Sequence, residues 1–289
     1  MFALGPSSRS PIYAFLTLRN MSSSPPVPAK LSLASRMKKY EASYDLTLPV
    51  DSPVLLRLDG HNFSRFTANF NRPFDQRIHD AMTATCTDLL HHFTSATVAY
   101  TQSDEITLVF PEGVKAFNER VQKLGSLAAS YTSIRFGFHL TSCLQTNPEP
   151  AVRGGEEVSG IAHFDARLFA VPSLAEALNC LIWRCRGDAV RNAVSAFART
   201  LFEQGDMHGK SSEELKAMIE MKTRKSYEQS VPKWAVEGCL VKRERVKHEG
   251  VNLKTKKREV TWRTRMRVEE RGVRVFGKEG LRVVGERYW

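Results

Sequence analysis

The run Arg57-Leu58-Asp59-Gly60 is followed, about forty residues on, by Gln102-Ser103-Asp104-Glu105. Each acidic group stands at the end of an apolar run that reads as a strand. Val54-Leu55-Leu56 leads into Asp59, Val98-Ala99-Tyr100 leads into Asp104, and Ile106 to Phe110 leads away. Between them, Asp75 to Phe93 predicts an amphipathic helix, with Ile78, Ala81, Met82, Cys86, Leu89, Leu90 and Phe93 at helical spacing. The order strand, Asp-Gly, helix, strand, Ser-Asp-Glu turn, strand can bring Asp59 and Asp104 to one edge of a sheet. Two carboxylates so close repel each other unless a cation lies between them. A divalent metal with oxygen ligands is the natural occupant, and Mg²⁺ usually brings nucleotide phosphates with it. Asp, Gly, Ser and Glu are also ordinary turn residues, so the spacing alone leaves a solvated loop open.

The charge is unevenly placed. The net +11 divides into +6 for residues 1–40, which hold six Lys/Arg and no acid, −6 for residues 41–221, and +11 for residues 222–289. An acidic middle suits a metal-binding centre, and basic flanks suit a polyanionic partner such as nucleic acid, although a charged face can also be merely solvated. The first forty residues are basic, Ser-rich and acid-free, which is typical of a mitochondrial transit peptide. Translation from Met21 would remove most of this leader and leave a cytoplasmic protein. Five cysteines form no pair of pairs, so no zinc site or disulfide framework is expected. No apolar run approaches the roughly 20 residues that span a bilayer.

Along the chain, Ser35 to Tyr44 reads as a short opening helix and Lys115 to about Thr132 as a long one. Gln145 to Gly160 reads as loop, and Leu168–Val171 as a short strand. Asp188 to Phe202 gives the clearest helix, with Val190, Ala193, Val194, Phe197, Ala198, Leu201 and Phe202 on one face and Asp188 placed to cap it. Arg191, Ser195 and Arg199 recur on its other face beside Asn192. Ser211 and Glu214 make a capping-box pattern. Leu240–Val246 and Val260–Val268 predict a basic hairpin, in which alternation puts Arg263, Arg265 and Arg267 on one face and Trp262, Thr264, Met266 and Val268 on the other. The resulting organisation is a leader over 1–34, a catalytic region over 35–221 and a basic C-terminal hairpin and tail over 222–289.

The runs RLDGHNFSRFT (57–67), RPFDQRIHDAM (72–82), AYTQSDEITLVF (99–110), HFDARLFAVPS (163–173), LIWRCRGDAVRNAVSAFARTLF (181–202) and MHGKSSEEL (207–215) together resemble the tRNA-histidine guanylyltransferase superfamily. The resemblance is closest to its guanylyltransferase-like branch, the 3′-5′ polymerases. It implies an α+β fold: a polymerase-palm-like, ferredoxin-like antiparallel sheet with packed helices, carrying the basic C-terminal β-hairpin. It implies Asp59, the Gly60 backbone and Asp104 as ligands of two Mg²⁺ ions, with Ser103 and Glu105 adjoining and Glu105 among the catalytic acids. The amides from His61 through Asn62 and Phe63 to Ser64 open the next helix and suit a triphosphate. Lys210, in the branch's His-Gly-Lys turn, fits a phosphate contact, and His208 beside it is equally readable as structural. Arg57 fits either a phosphate contact or a structural ion pair. Arg191, Asn192 and Arg199, with Arg263, Arg265 and Arg267, are the expected RNA contacts. The implied substrates are GTP or other NTPs, ATP and tRNA, and the implied assembly is a homotetramer.

Two departures sharpen the expectation. Guanylyltransferases specific for tRNA-His carry a HINNLYN motif where this chain has Asp188-Ala-Val-Arg-Asn-Ala-Val194, which favours templated repair of truncated tRNA 5′ ends. His61 stands where the family usually has Lys or Arg, and a neutral imidazole holds a triphosphate less firmly. Guanosine addition to tRNA-His, a palm-fold nucleotide cyclase and a non-catalytic RNA-binding protein remain as alternatives. A cyclase has no need of the basic hairpin, and an RNA-binding protein has no need of paired acids.

Overall fold

The computed structural model describes residues 31–148, 161–251 and 254–289. Nearly all of the leader and most of the loop expected over 145–160 lie outside them. The chain divides between Asp45 and Leu46. Of the first unit, helix α1 (Leu33–Ala42) is described, and its first turn is closed by the Ser32 hydroxyl accepting from the Ser35 amide at 3.2 Å.

The second unit opens with β1 (Val54–Gly60), one turn of helix α2 (Phe63–Phe66), and α3 (Gln76–His92). Asp75 caps α3 by accepting from the Arg77 amide at 2.9 Å. Then come β2 (Val98–Gln102), β3 (Glu105–Phe110), α4 (Val121–Thr146) and β4 (Phe164–Ala170). These four strands lie in the order β4-β1-β3-β2, all antiparallel, which is the ferredoxin-like arrangement. Helices follow: α5 (Leu174–Trp183), α6 (Ala189–Ala198), α7 (Gln204–Met207), α8 (Ser212–Thr223), α9 (Tyr227–Ser230) and α10 (Lys233–Glu237). Strands β5 (Cys239–Val251) and β6 (Arg258–Glu269) then extend the sheet beyond β2, and α11 (Gly277–Gly285) ends the chain.

The strands at the centre read as unbroken apolar runs because both faces of the sheet are covered. Leu56, Leu58, Ile106, Leu108 and Val241 pack on one face against Ala81, Met82, Cys86 and Leu89 of α3 and Leu124, Ala128, Phe136 and Leu140 of α4. Leu55, Val98, Tyr100, Val109 and Leu240 pack on the other against Leu178 and Leu181 of α5 and Val283 and Val284 of α11. Full burial of each such side chain contributes about 1.5–3 kcal/mol. A third cluster joins Val194 and Ala198 of α6 to Leu215 and Ile219 of α8 and to Tyr227.

The boundary expected at 221/222 does not divide the structure, because β5 pairs with β2 in the register Val98↔Lys242 to Thr101↔Cys239. At that seam two cations are buried back to back. Lys242 Nζ donates to the Val283 carbonyl at 2.6 Å and to the Glu286 carbonyl, at the end of α11. Arg243 donates to the Ala96 carbonyl at 2.7 Å and to the Leu90 carbonyl, at the end of α3. Each charge sits at a helix C-terminus, where unpaired carbonyls favour it.

Two helices differ from expectation. Asp188 does not cap a new helix: its backbone is already helical and its side chain makes no cap hydrogen bond. One helix runs from Leu174 to Ala198 through a π segment at Arg184–Asp188, which absorbs an extra residue without ending the helix. Helix α4 begins at Val121, after left-handed residues Phe117, Asn118 and Glu119, and continues fourteen residues past Thr132. The capping box of Ser211 and Glu214 is present as read.

Candidate active site

Antiparallel pairing places the last residues of β1 beside the first of β3. Asp59 lies opposite Glu105 on one side and Asp165 of β4 on the other. Gln102 pairs with Glu105, so Ser103 and Asp104 form a two-residue turn, with Ser103 left-handed at φ 54°. The Gly60 amide donates to the Asp104 carbonyl at 3.1 Å and ties the Asp-Gly end to that turn. A Cβ at Gly60 would lie 2.5 Å from the Phe63 ring and 3.0 Å from the Asp104 Cβ, so the approach requires glycine.

This brings Asp59 and Asp104 together, as the spacing suggested. Burial pushes the Asp104 carboxyl up and the charge of Asp59 adds to the rise, while a hydrogen bond from Ser103 opposes it. Glu105 is buried and directed elsewhere. Burial raises its pKa and the charge of Asp59 adds to the rise, while Arg184 and Arg57 pull it back. Arg184 bridges Glu105 to Asp188, Asp188 takes Arg191 as well, and Arg57 Nε stands 4.0 Å from Glu105 Oε2. Arg57 is thus a structural partner, and the expected RNA contact Arg191 is drawn to an acid of its own helix. Among the described residues, no group of three or more His, Cys, Asp or Glu side chains is arranged to hold a metal. A cation held by Asp59 and Asp104 would take its other oxygens from backbone or substrate.

The segment after Gly60 is partly committed. The His61 amide donates to the His163 carbonyl at 2.8 Å, and the two imidazole rings lie 5.0 Å apart. Asn62 is left-handed and its Nδ2 donates to His61 Nε2 at 2.9 Å. Phe63 is buried among Phe66, Phe136 and Phe164, so its ring anchors the turn. Helix α2 is a single turn of four residues. That is less helix behind these amides than the sequence leads one to expect.

Beside the acids opens a cleft of about 410 Å³. Ser64 and Ser103 line the end near the acids, Asn192 of α6 and Arg199 just past its end line one wall, and Arg72, His79 and Trp234 are among the residues lining the rest. His79 is stacked on Trp234 at 4.1 Å and 11°. Burial pushes its pKa down to about 4, against a smaller upward pull from Asp80. Lys210 stays on the exposed turn before α8 and does not line the cleft. Arg265 and Arg267 pair with Glu244 across the hairpin, and Arg263 has no acid partner among the described residues.

Several positioned residues carried a weaker signal. Arg184 lay in the Trp-Arg dipeptide, but its role depends on the π segment that turns it toward Glu105. Asp165 and His163 lay in the run HFDAR, and β-register alone places them beside Asp59 and His61. His79 and Trp234 are 155 residues apart in the chain, and only the fold stacks them.

A ferredoxin-like antiparallel sheet with two acids at the ends of neighbouring strands, and a cleft beside them, defines an α+β palm. Residues 34–172 match the family model described as tRNAHis guanylyltransferase (Thg1). An uncharacterized protein, R259, of Acanthamoeba polyphaga mimivirus is 34% identical over 239 residues, covering 76% of this chain and 80% of that one. The tRNA(His) guanylyltransferase of Neurospora crassa is 28% identical over 179 residues, 61% of this chain and 58% of that one. A bacterial tRNA(His) guanylyltransferase (Thg1)-like protein, solved in complex with ATP, superposes with a TM-score of 0.63 at 27% identity, covering 73% of this chain and 88% of that one. This chain belongs to the tRNA-histidine guanylyltransferase superfamily. It spans little more than half the length of the fungal guanylyltransferase it matches.

Proposed function

We propose that this protein is a Mg²⁺-dependent nucleotidyltransferase that adds nucleotides to the 5′ end of tRNA in the 3′-5′ direction, repairing truncated ends against the opposing strand. The observation that carries the reading is the Gly60–Asp104 hydrogen bond, which ties the Asp59 end of β1 to the turn whose Ser103 lines a neighbouring cleft with other hydroxyls, amides and arginines. The donor set fits a divalent cation, since burial and the neighbouring Asp59 make the Asp104 charge costly until a cation relieves it. Asp59 and Asp104 would hold Mg²⁺, which supplies Lewis-acid polarisation of phosphate oxygens.

The chain's own residues position the reactants. Ser64 and Ser103 present hydroxyls to a nucleotide, and Arg199 and Asn192 offer donors to its phosphates. The His79–Trp234 stack gives the cleft a flat apolar wall. In the reaction, the 3′-hydroxyl oxygen of the incoming NTP attacks the 5′ phosphorus of a tRNA that is adenylated or triphosphorylated. A phosphodiester forms, AMP or pyrophosphate leaves, and the hydroxyl proton passes to solvent. The basic flanks would hold the tRNA, four chains would assemble, and the leader would direct the protein to the mitochondrial matrix.

The names of the family and of the fungal relative favour a second reading, guanosine addition to tRNA-His. One experiment separates the two. Purified protein, Mg²⁺ and labelled NTPs are mixed with tRNAs lacking one 5′ nucleotide and with full-length tRNA-His. Templated repair predicts that changing the opposing acceptor-stem base switches the nucleotide added. Guanosine added whatever that base is, and to tRNA-His alone, would establish the second reading. No incorporation into any tRNA would defeat both.

A further inference from the structure

Beyond Lys242, β5 leaves β2 and, among the described residues, is laddered to β6, from Arg243↔Met266 to Val251↔Arg258. A two-stranded ribbon has two faces, and strand alternation sorts the side chains between them. One face carries Glu244, Val246 and His248, all half-buried, with Arg265, Arg263 and Thr261 across from them. There Arg265 and Arg267 share one carboxylate, Arg265 Nε donating to Glu244 at 2.6 Å and Arg267 Nη1 to the same group at 3.4 Å, while Arg263 meets no acid among the described residues.

The other face pairs Arg245, Lys247 and Glu249 with Thr264, Trp262 and Val260, and all six are exposed. Trp262 shows 65% of its surface and Val260 53%. Arg245 stacks on Tyr288 at 4.5 Å, and Arg287 lies 5.9 Å from the same ring. Lys247 meets Glu249 at 2.9 Å, but both are more than half exposed, so the pair is weak and readily traded for a phosphate. Two of the three arginines singled out from the sequence are therefore engaged with Glu244, and the opposite face is the one that presents an exposed indole.

We infer that this face is a stacking platform for an unpaired base of an RNA, with the indole of Trp262 against the base and Arg245 and Lys247 on the flanking phosphates. The charge argument is direct: residues 222–289 carry a net +11, and an apolar ring set among cations suits a ligand that is flat and apolar on its base and anionic along its backbone. Bases inside a duplex have their faces covered, so a splayed or single-stranded base is what the ring can take. The inference rests on the reading of the protein as an enzyme of RNA and deepens it.

The test measures binding, separately from catalysis. The full chain is titrated with a labelled single-stranded RNA oligonucleotide and with a blunt RNA duplex of the same length. Trp262→Ala should weaken single-strand binding by about 5- to 100-fold, with much less effect on the duplex. Its slope of log affinity against log salt should match wild type, because a stacked ring releases no counterions. Arg245→Gln with Lys247→Gln should make that slope shallower by nearly one unit for each phosphate no longer neutralised. Trp262→Phe should restore much of the affinity, and Trp262→Leu should not. Wild-type affinity in Trp262→Ala, or full rescue by leucine, overturns the stacking role and leaves the RNA-binding reading intact. A wild-type protein that binds neither RNA overturns both.

Discussion

At the scale of single residues, the site separates acids by what each one faces. Asp104 bears burial and the charge of Asp59, whereas Glu105, which feels that charge too, is paired with Arg184. Asp59→Ala or Asp104→Ala should abolish nucleotide incorporation and leave tRNA affinity nearly unchanged, as measured by primer-style incorporation beside a binding titration. Retained turnover in either variant would remove the palm acids from the chemistry. Arg184 makes the opposite kind of contribution. Its removal leaves Glu105 buried with the more distant Arg57 at 4.0 Å and the Thr107 hydroxyl at 3.5 Å, and leaves Asp188 with Arg191. Breaking a buried pair from one side costs about 3–5 kcal/mol. Arg184→Ala should therefore lose about that much in a denaturant titration, and Arg184→Ala with Glu105→Gln should recover part of the loss. The same contrast shows what sequence can convey about acids. Aspartate beside glycine at a strand end is visible in order of residues alone. The partner of Glu105 comes from a helix about eighty residues away, and its approach depends on one widened turn.

At the scale of elements, the strands and the central helix were legible because their apolar residues follow one period and their ends are marked by Asp75, Gly60 and the Ser103 turn. Helix α4 was legible only in its first half. Past Thr132 the apolar residues Ile134, Phe136, Phe138 and Leu140 alternate as in a strand, and the helix buries Phe136 and Leu140 while exposing Ile134 and Phe138. The π segment hid the continuity of α5 and α6, since a widened turn breaks the 3.6-residue repeat where Asp188 looks like a cap. The α3–α10 contact carries a pH dependence. His79, held neutral against Trp234 with its pKa pushed down to about 4, favours the folded state only while uncharged. The unfolded chain binds that proton near pH 6.5, so stability should fall as pH drops from 6.5 towards 4. Allowing for the ring's partial exposure, the loss is roughly 2 kcal/mol. Urea titrations at several pH values should show this slope, and His79→Phe should flatten it.

At the scale of the whole molecule, the strands of the acidic middle and of the basic C-terminal part join in one six-stranded sheet, with acids near β1 and β3 and cations along the ribbon beyond β2. The assembly proposed above should appear in light scattering as the mass of four chains, and a monomer mass would overturn it. Residues 1–34 fused to a reporter should carry it into mitochondria, and a cytoplasmic reporter would point to Met21 as the start. The joint between ribbon and sheet has its own implication. Lys242 and Arg243 are neighbours that alternation sends to opposite faces, and each closes the end of a different helix. Were β5 to slip by one residue along β2, Glu244 would stand where Arg243 stands and meet the carbonyls of Leu90 and Ala96 with a negative charge. The seam thus reads the count of residues in the chain. Point substitutions along the outer ribbon should be tolerated, while deletion of a single codon between Gly238 and Lys242 should be fatal, a frame kept by the protein as strictly as the ribosome keeps its own.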